Sequence, residues 1–264
     1  MKKLNFLAAA LVSAMTLFTS CLGDGSNEVS GPILGVVFMN PDAGYKPMVD
    51  VGNGYLYIPQ MTNSGEFMEG TCVSANVLIN YDDPVNANSA TTGYVTASLN
   101  SEAQVIDSWP VSYINSEADT TQVLTDEIPV VSACNGMTSP IRGFCFVSSN
   151  VKVGSKQDLT WTLKYSPDLK AETIGGKNYY NLYIRATATG DDEGASNTSV
   201  INAFRMKELI DRINNIEKNA GNTEYYLRFN YVENINDETQ QLTWGHNDIL
   251  GYVVKDNESA TTAL

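Results

Sequence analysis

Tyr180, Leu182, Ile184, Ala186 and Ala188 fall at every second position of one stretch, and Asn181, Tyr183, Arg185 and Thr187 lie between them. Successive side chains of a strand point to opposite faces, so this pattern demands a sheet with one buried and one wet face. The same period recurs twice. Trp161, Leu163 and Tyr165 are separated by Thr162 and Lys164, and Tyr225, Leu227, Phe229 and Tyr231 alternate with Tyr226, Arg228, Asn230 and Val232. Wet-and-dry alternation of this kind predicts an antiparallel β-sandwich, set at residues 128–256. Adjacent tyrosines, Tyr179-Tyr180 and Tyr225-Tyr226, must send one ring to each face.

One segment of that region has a different period. Met206, Leu209, Ile210, Ile213 and Ile216 recur at three- and four-residue steps and predict an amphipathic helix near 203–219, stopped at Gly221. The first half reads as short strands: Ile33 to Met39, a hairpin around Gly52-Asn53-Gly54, Thr71 to Tyr81, Tyr94 to Leu99, and Val105 to Val111. Their number and spacing fit a small β-barrel over 32–114. Residues 115–127 have no apolar periodicity and read as a linker, and 257–264 as a polar tail.

The amino terminus carries an address. Met1-Lys2-Lys3 precedes an apolar run from Leu4 to Leu17, too short for a permanent membrane span, and Phe18-Thr19-Ser20-Cys21 ends it. The expectation is a signal peptide over 1–20, cleavage before Cys21, and attachment to a membrane through lipid on that cysteine. An ordinary secreted protein with an accidental cysteine is the alternative. Residues 21–31 read as a flexible tether.

Against 16 Lys and Arg stand 30 Asp and Glu, a net charge of −14. So acidic a chain is not expected to bind nucleic acid. Cys134 and Cys145, with turn formers between them, are either a hairpin-closing disulfide or two buried thiols. His246 is the sole histidine, so a two-histidine metal site and the HExxH pattern are excluded within one chain. It reads as a loop residue, and no Gly-x-Ser-x-Gly elbow accompanies it. Asp191, Asp192 and Glu193 either hold a cation or form an acidic hairpin loop; their spacing is not that of an EF-hand. No metal or other cofactor is expected. Trp109, Trp244, Tyr179 and Tyr226 are candidate ligand-stacking aromatics, whereas Trp161 should fill the core. Asp119-Thr120-Thr121 matches a short O-glycosylation pattern.

Two sets of segments resemble the NigD-like lipoproteins of the Bacteroidetes. In the first half these are Val51 to Pro59, Cys72 to Tyr81, and Asp107-Ser108-Trp109-Pro110-Val111. In the second they are Leu159 to Tyr165, Tyr180 to Arg185, and Tyr225 to Val232. The resemblance implies a mainly β chain, an OB-like barrel followed by a β-sandwich, and it supplies no catalytic residues. Together these readings predict a lipid-anchored outer-membrane protein that is not an enzyme and that binds a protein or glycan partner. The two more specific expectations are a glycan-binding accessory lipoprotein of an uptake system and a bacteriocin-immunity-like protein.

Overall fold

The computed structural model describes residues 27–61, 65–132 and 140–254. The expected signal peptide, the Cys21 lipidation site, Cys134 and hence its pairing with Cys145, and the tail at 257–264 lie outside the described residues. Those described form two compact units, one of 27–108 with 140–146 and the other of 109–132 with 147–254.

The first unit contains β1 (Glu28–Asn40), β2 (Lys46–Asp50), β3 (Tyr55–Tyr57), β4 (Cys72–Asn80), the short helix α1 (Ser89–Thr92), β5 (Val95–Thr96), β6 (Ser98–Leu99) and β7 (Gln104–Ile106). They form one sheet in the order β5-β3-β2-β1-β4-β6, with β7 also on β4. β1 makes the curl. Glu28 to Val36 pair with β4 on one edge, and Val36 to Asn40 pair with β2 on the other. At the handover stands Gly35, where a Cβ would lie 2.7 Å from the Asp50 carbonyl oxygen, so only glycine lets β2 come this close. The nearly closed sheet wraps Val37, Val49, Leu56, Ile58, Val73, Val77 and Ile79 into an apolar core. The tight turn takes its positive φ at Gly52 (87°), whose N–H donates to the Asp50 carboxylate, rather than at Asn53-Gly54.

The second unit contains most of β8 (Ser108–Tyr113), α2 (Ala118–Thr121), β9 (Glu127–Ile128), β10 (Val130–Ser132), most of β11 (Phe144–Val153), β12 (Asp158–Tyr165), β13 (Glu172–Ile174), β14 (Lys177–Thr189), β15 (Ser196–Arg205), α3 (Lys207–Asn219), β16 (Glu224–Asn236) and β17 (Gln241–Val253); Ser108 and residues 144–146 fall in the first. Its sheet runs β10-β11-β15-β8-β12-β14-β16-β17, with β9 and β13 also on β14. The sheet curls until β10 packs against β16. Trp161, Leu163, Tyr180, Leu182, Ile184, Leu227 and Phe229 are buried on its inner face. The chain is thus mainly β, an OB-like barrel followed by a β-sandwich with one amphipathic helix.

Several boundaries differ from those expected. The stretch expected as one barrel strand, Val105 to Val111, is two: it breaks at Asp107, and β8 joins the second sheet, pairing parallel with β12. β14 and β16 are parallel as well, so the sandwich is mixed rather than antiparallel. Alternation reveals burial, not strand direction. β1 begins at Glu28, so residues 28–31 of the stretch expected as a tether belong to the first sheet. Residues 115–127 are no free linker: they carry α2 and the start of β9, and polar side chains tie them down. The helix starts at Lys207 rather than near 203, because Ala203 and Phe204 complete the buried face of β15. Its stripe is also rotated. Met206, Leu209 and Ile213 are buried, but Ile216 is 40% exposed and Glu217 takes the inward position. Among the described residues, no helix is long and apolar enough to cross a membrane.

Candidate binding face of the second unit

On the outer face of β14 and β16 the parallel register sets Tyr179 directly beside Tyr226. Their rings stack with centroids 5.2 Å apart, 30° from parallel. Arg228 lies over Tyr179 at 4.8 Å and Lys177 over Tyr226 at 4.6 Å, so each ring meets a cation. Arg228 also donates to Glu172 at 2.9 Å. One step along, Asn230 donates to the Asn181 side chain and the Leu182 carbonyl, both at 3.1 Å. Beyond that, Trp244 of β17 meets Tyr183 edge-on at 5.3 Å, and its indole N–H donates to the Thr120 carbonyl at 3.0 Å. Three of the four candidate aromatics therefore share this face. Trp109 does not: it is half-buried on β8, and its indole N–H donates to Asn202 of β15. Trp161 is buried in the core as expected.

One end of the face is covered. Arg185, an outward-facing residue of β14, is 2% exposed because the 115–127 segment lies over it. It makes a two-point pair with the buried Glu127 carboxylate and donates to the carbonyls of Asp119 (2.8 Å) and Gln122 (2.6 Å). Lys164 holds the Asp119 carboxylate at 2.6 Å. That bond, helped by the Asn115 N–H, keeps the Asp119 carboxyl below the usual carboxylate range. Thr120 sits half-buried within α2 with its hydroxyl donating to Glu117, so the glycosylation pattern is part of a folded turn rather than an accessible linker.

Between the Arg185 clasp and the tyrosine pair lies a groove of about 270 Å³. Asn181 and Tyr183 of β14, Ser166, Asp168 and Lys170 of the loop after β12, and Thr120 of α2 are among the residues that line it. Asp168 accepts from the Ser166 hydroxyl at 2.6 Å and from the Lys170 N–H, and these bonds hold its carboxyl below the usual range. The loop turns through Leu169, whose φ of 46° is left-handed. Arg212 of α3 fixes it by donating to the Pro167 carbonyl at 3.3 Å and to the Tyr113 hydroxyl at 2.9 Å. Burial, more than any neighbouring charge, raises the Tyr183 hydroxyl, and together with Tyr113 it pushes Tyr165 up to about 12.

Other chemistry-bearing residues serve the fold. Glu217 is buried and accepts from the Tyr180 hydroxyl (2.5 Å), Asn178 (3.0 and 3.2 Å) and Asn222 (2.6 Å), joining α3 to the inner side of the sheet. His246 is not in a turn as expected; it is an exposed residue of β17, opposite Asn230. Lys156 stands 3.7 Å from both Asp191 and Glu193, so a side-chain ammonium already answers the acidic hairpin. No cluster of three His, Cys, Asp or Glu suited to a metal occurs among the described residues. Cys145 is buried. Sequence reasoning missed the roles of Glu127, Arg185 and Glu217. The available signal was Arg185, a charge set inside a long alternating strand.

Residues 25–104 match a family described as a lipoprotein OB domain. No curated protein sequence matches the chain. Among solved structures, an uncharacterized protein from Parabacteroides merdae is 20% identical with a TM-score of 0.69, over 86% of this chain and all of that one. A candidate lipoprotein from Bacteroides fragilis is 14% identical with a TM-score of 0.52, again over 86% of this chain and all of the other. A NigD-like immunity protein from Bacteroides caccae is 15% identical with a TM-score of 0.46, over 85% of this chain and 98% of that one. Residues 25–104 are therefore similar to a lipoprotein OB domain, and the two-part β fold of the chain is one it shares with solved proteins of Bacteroides and Parabacteroides.

Proposed function

We propose that this protein is anchored to the outer membrane by lipid on Cys21 and works there by binding rather than by catalysis. The outer face of β14 and β16 is its contact surface. One observation carries the reading. Two tyrosines, a tryptophan and an arginine are gathered on one sheet face beside an open groove, and these residue types are enriched at recognition surfaces. The buried carboxylates Glu127 and Glu217 are saturated by donors, which suits a structural role rather than proton transfer.

The test is photo-crosslinking in the native envelope, with benzoylphenylalanine placed at Tyr226 and, as a control, at exposed Tyr81 of the first unit. A discrete adduct from position 226 and none from position 81 is expected. Adducts from neither, or from position 81 alone, would remove the face from consideration. The anchor is read in the same strains: Cys21→Ala should abolish palmitate labelling and release the protein from the membrane fraction.

A further inference from the structure

The geometry points to the groove beside Tyr183 as a subsite for one or two rings of a neutral sugar. This rests on the reading of the outer face as a binding surface and names what that surface takes.

Size comes first. Sites for drug-sized ligands and cofactors begin at about 300 Å³. At about 270 Å³ the groove suits a smaller ligand, on the scale of a pyranose or a short oligosaccharide end. The chemistry of the walls comes second. Asp168 only accepts hydrogen bonds and Lys170 only donates; the Ser166 hydroxyl, whose proton goes to Asp168, still accepts, and Asn181, bonded to Asn230 and Glu172, keeps one amide hydrogen and one oxygen lone pair. A sugar presents adjacent hydroxyls that each donate and accept, which such a mixture satisfies. Tyr183 adds an aromatic wall suited to the C–H face of a ring. Charge comes third. Asp168 and Lys170 are two residues apart and opposite in sign, so the loop selects neither anion nor cation. A lone lysine is a poor phosphate site in a chain of net charge −14.

The loop is also held in one shape. The Leu169 N–H donates to the Ser166 carbonyl at 3.1 Å, and Arg212 grips Pro167 from α3. Binding then does not have to order the loop. Trp244, edge-on to Tyr183, lies where a ligand would change its fluorescence.

The mature full-length protein would be titrated with glucose, galactose, mannose, xylose, maltose, cellobiose and lactose. Glucuronate and inorganic phosphate serve as charged probes. Saturation-transfer NMR and tryptophan fluorescence are the readouts. Saturable binding of at least one neutral sugar is expected, weakened about tenfold or more by Asp168→Asn and by Lys170→Ala. Both residues are exposed, so the thermal midpoint should move little, more for Asp168, which gives up its bonds to Ser166 and Lys170 as a carboxylate, than for Lys170. Three results would overturn the assignment: no neutral sugar binds, a charged probe binds in preference, or neither substitution weakens binding. If the sugars fail while crosslinks from Tyr226 persist, the contact face stands and only its ligand class is wrong.

Discussion

Two tyrosine pairs lie back to back across β14 and β16, and adjacent positions in the sequence send them into different environments. On the inner side Tyr180 and Tyr225 meet edge-on at 5.9 Å, both buried, with the Tyr180 hydroxyl on Glu217. On the outer side Tyr179 and Tyr226 stack, half-exposed, under Arg228 and Lys177. Burial raises the Tyr180 and Tyr225 hydroxyls well above the ordinary tyrosine value, and Glu217 adds to this. The contrast teaches that the same residue type in the same strands is cohesive on one face and available on the other. What decides is whether a partner from the chain's own fold covers it. The outer face repeats the lesson along its length, because the 115–127 segment buries it at Arg185 and leaves it open at Tyr179.

The covered end should break hardest. Arg185→Met leaves the wholly buried Glu127 carboxylate without its cation and frees two carbonyls, at a cost of about 3–5 kcal/mol. The double variant Arg185→Met with Glu127→Leu should recover most of that loss, since buried ion pairs owe much of their apparent strength to the penalty of leaving one member alone. Urea unfolding of the two variants and the parent measures this; a double variant as unstable as the single one would show that the clasp carbonyls, not the carboxylate, carry the energy. Next comes the inner side. Glu217→Ala strands the buried Tyr180 hydroxyl and removes the partner of half-buried Asn178 and exposed Asn222, at about 3 kcal/mol. Tyr180→Phe removes one donor and keeps the ring, so about 1 kcal/mol is expected. Equal losses from the two would mean that the carboxylate does no more than satisfy Tyr180.

The order of these effects also marks what could be read from the sequence. The alternations at Trp161–Tyr165, Tyr180–Ala188 and Tyr225–Tyr231 announced both the strands and their buried faces, because burial has the same period as the strand. Parallel pairing of β14 with β16 was not legible, since alternation carries no direction. That pairing is what sets Tyr179 beside Tyr226, so the candidate aromatics were visible as residues but not as a pair. The helix stripe misled at Ile216, because an apolar pattern cannot announce that the inward place at 217 is held by a carboxylate with three donors around it. Residues 115–127 read as a linker for the same reason. Polar contacts, not apolar ones, tie them down, and Asp119, Glu127 and Arg185 lie too far apart in sequence to suggest a clasp. Asp107-Ser108, where the chain leaves one sheet for the other, is a polar break in the β-prone run from Val105 to Val111, but a polar pair marks an interruption without telling that the next strand joins a different sheet.

The smallest effect belongs to the open end, and it is the sharpest test of the contrast. Tyr226 lies over Gly251 of β17, where an added Cβ would come 3.1 Å from its ring, so the tyrosine shields backbone that glycine leaves bare. Tyr226→Ala gives up one stacked contact and that shielding, about 1 kcal/mol in all. Tyr225→Ala, one residue away, empties a buried site of the core and should cost about 3–5 kcal/mol. Chemical unfolding of the pair reads the difference directly. If the outer variant costs as much as the inner one, the outer tyrosines are part of the scaffold and the face has little to spare for a partner. A small loss leaves their exposed aromatic surface free to act in recognition, because removing them then changes what the protein meets more than how it folds.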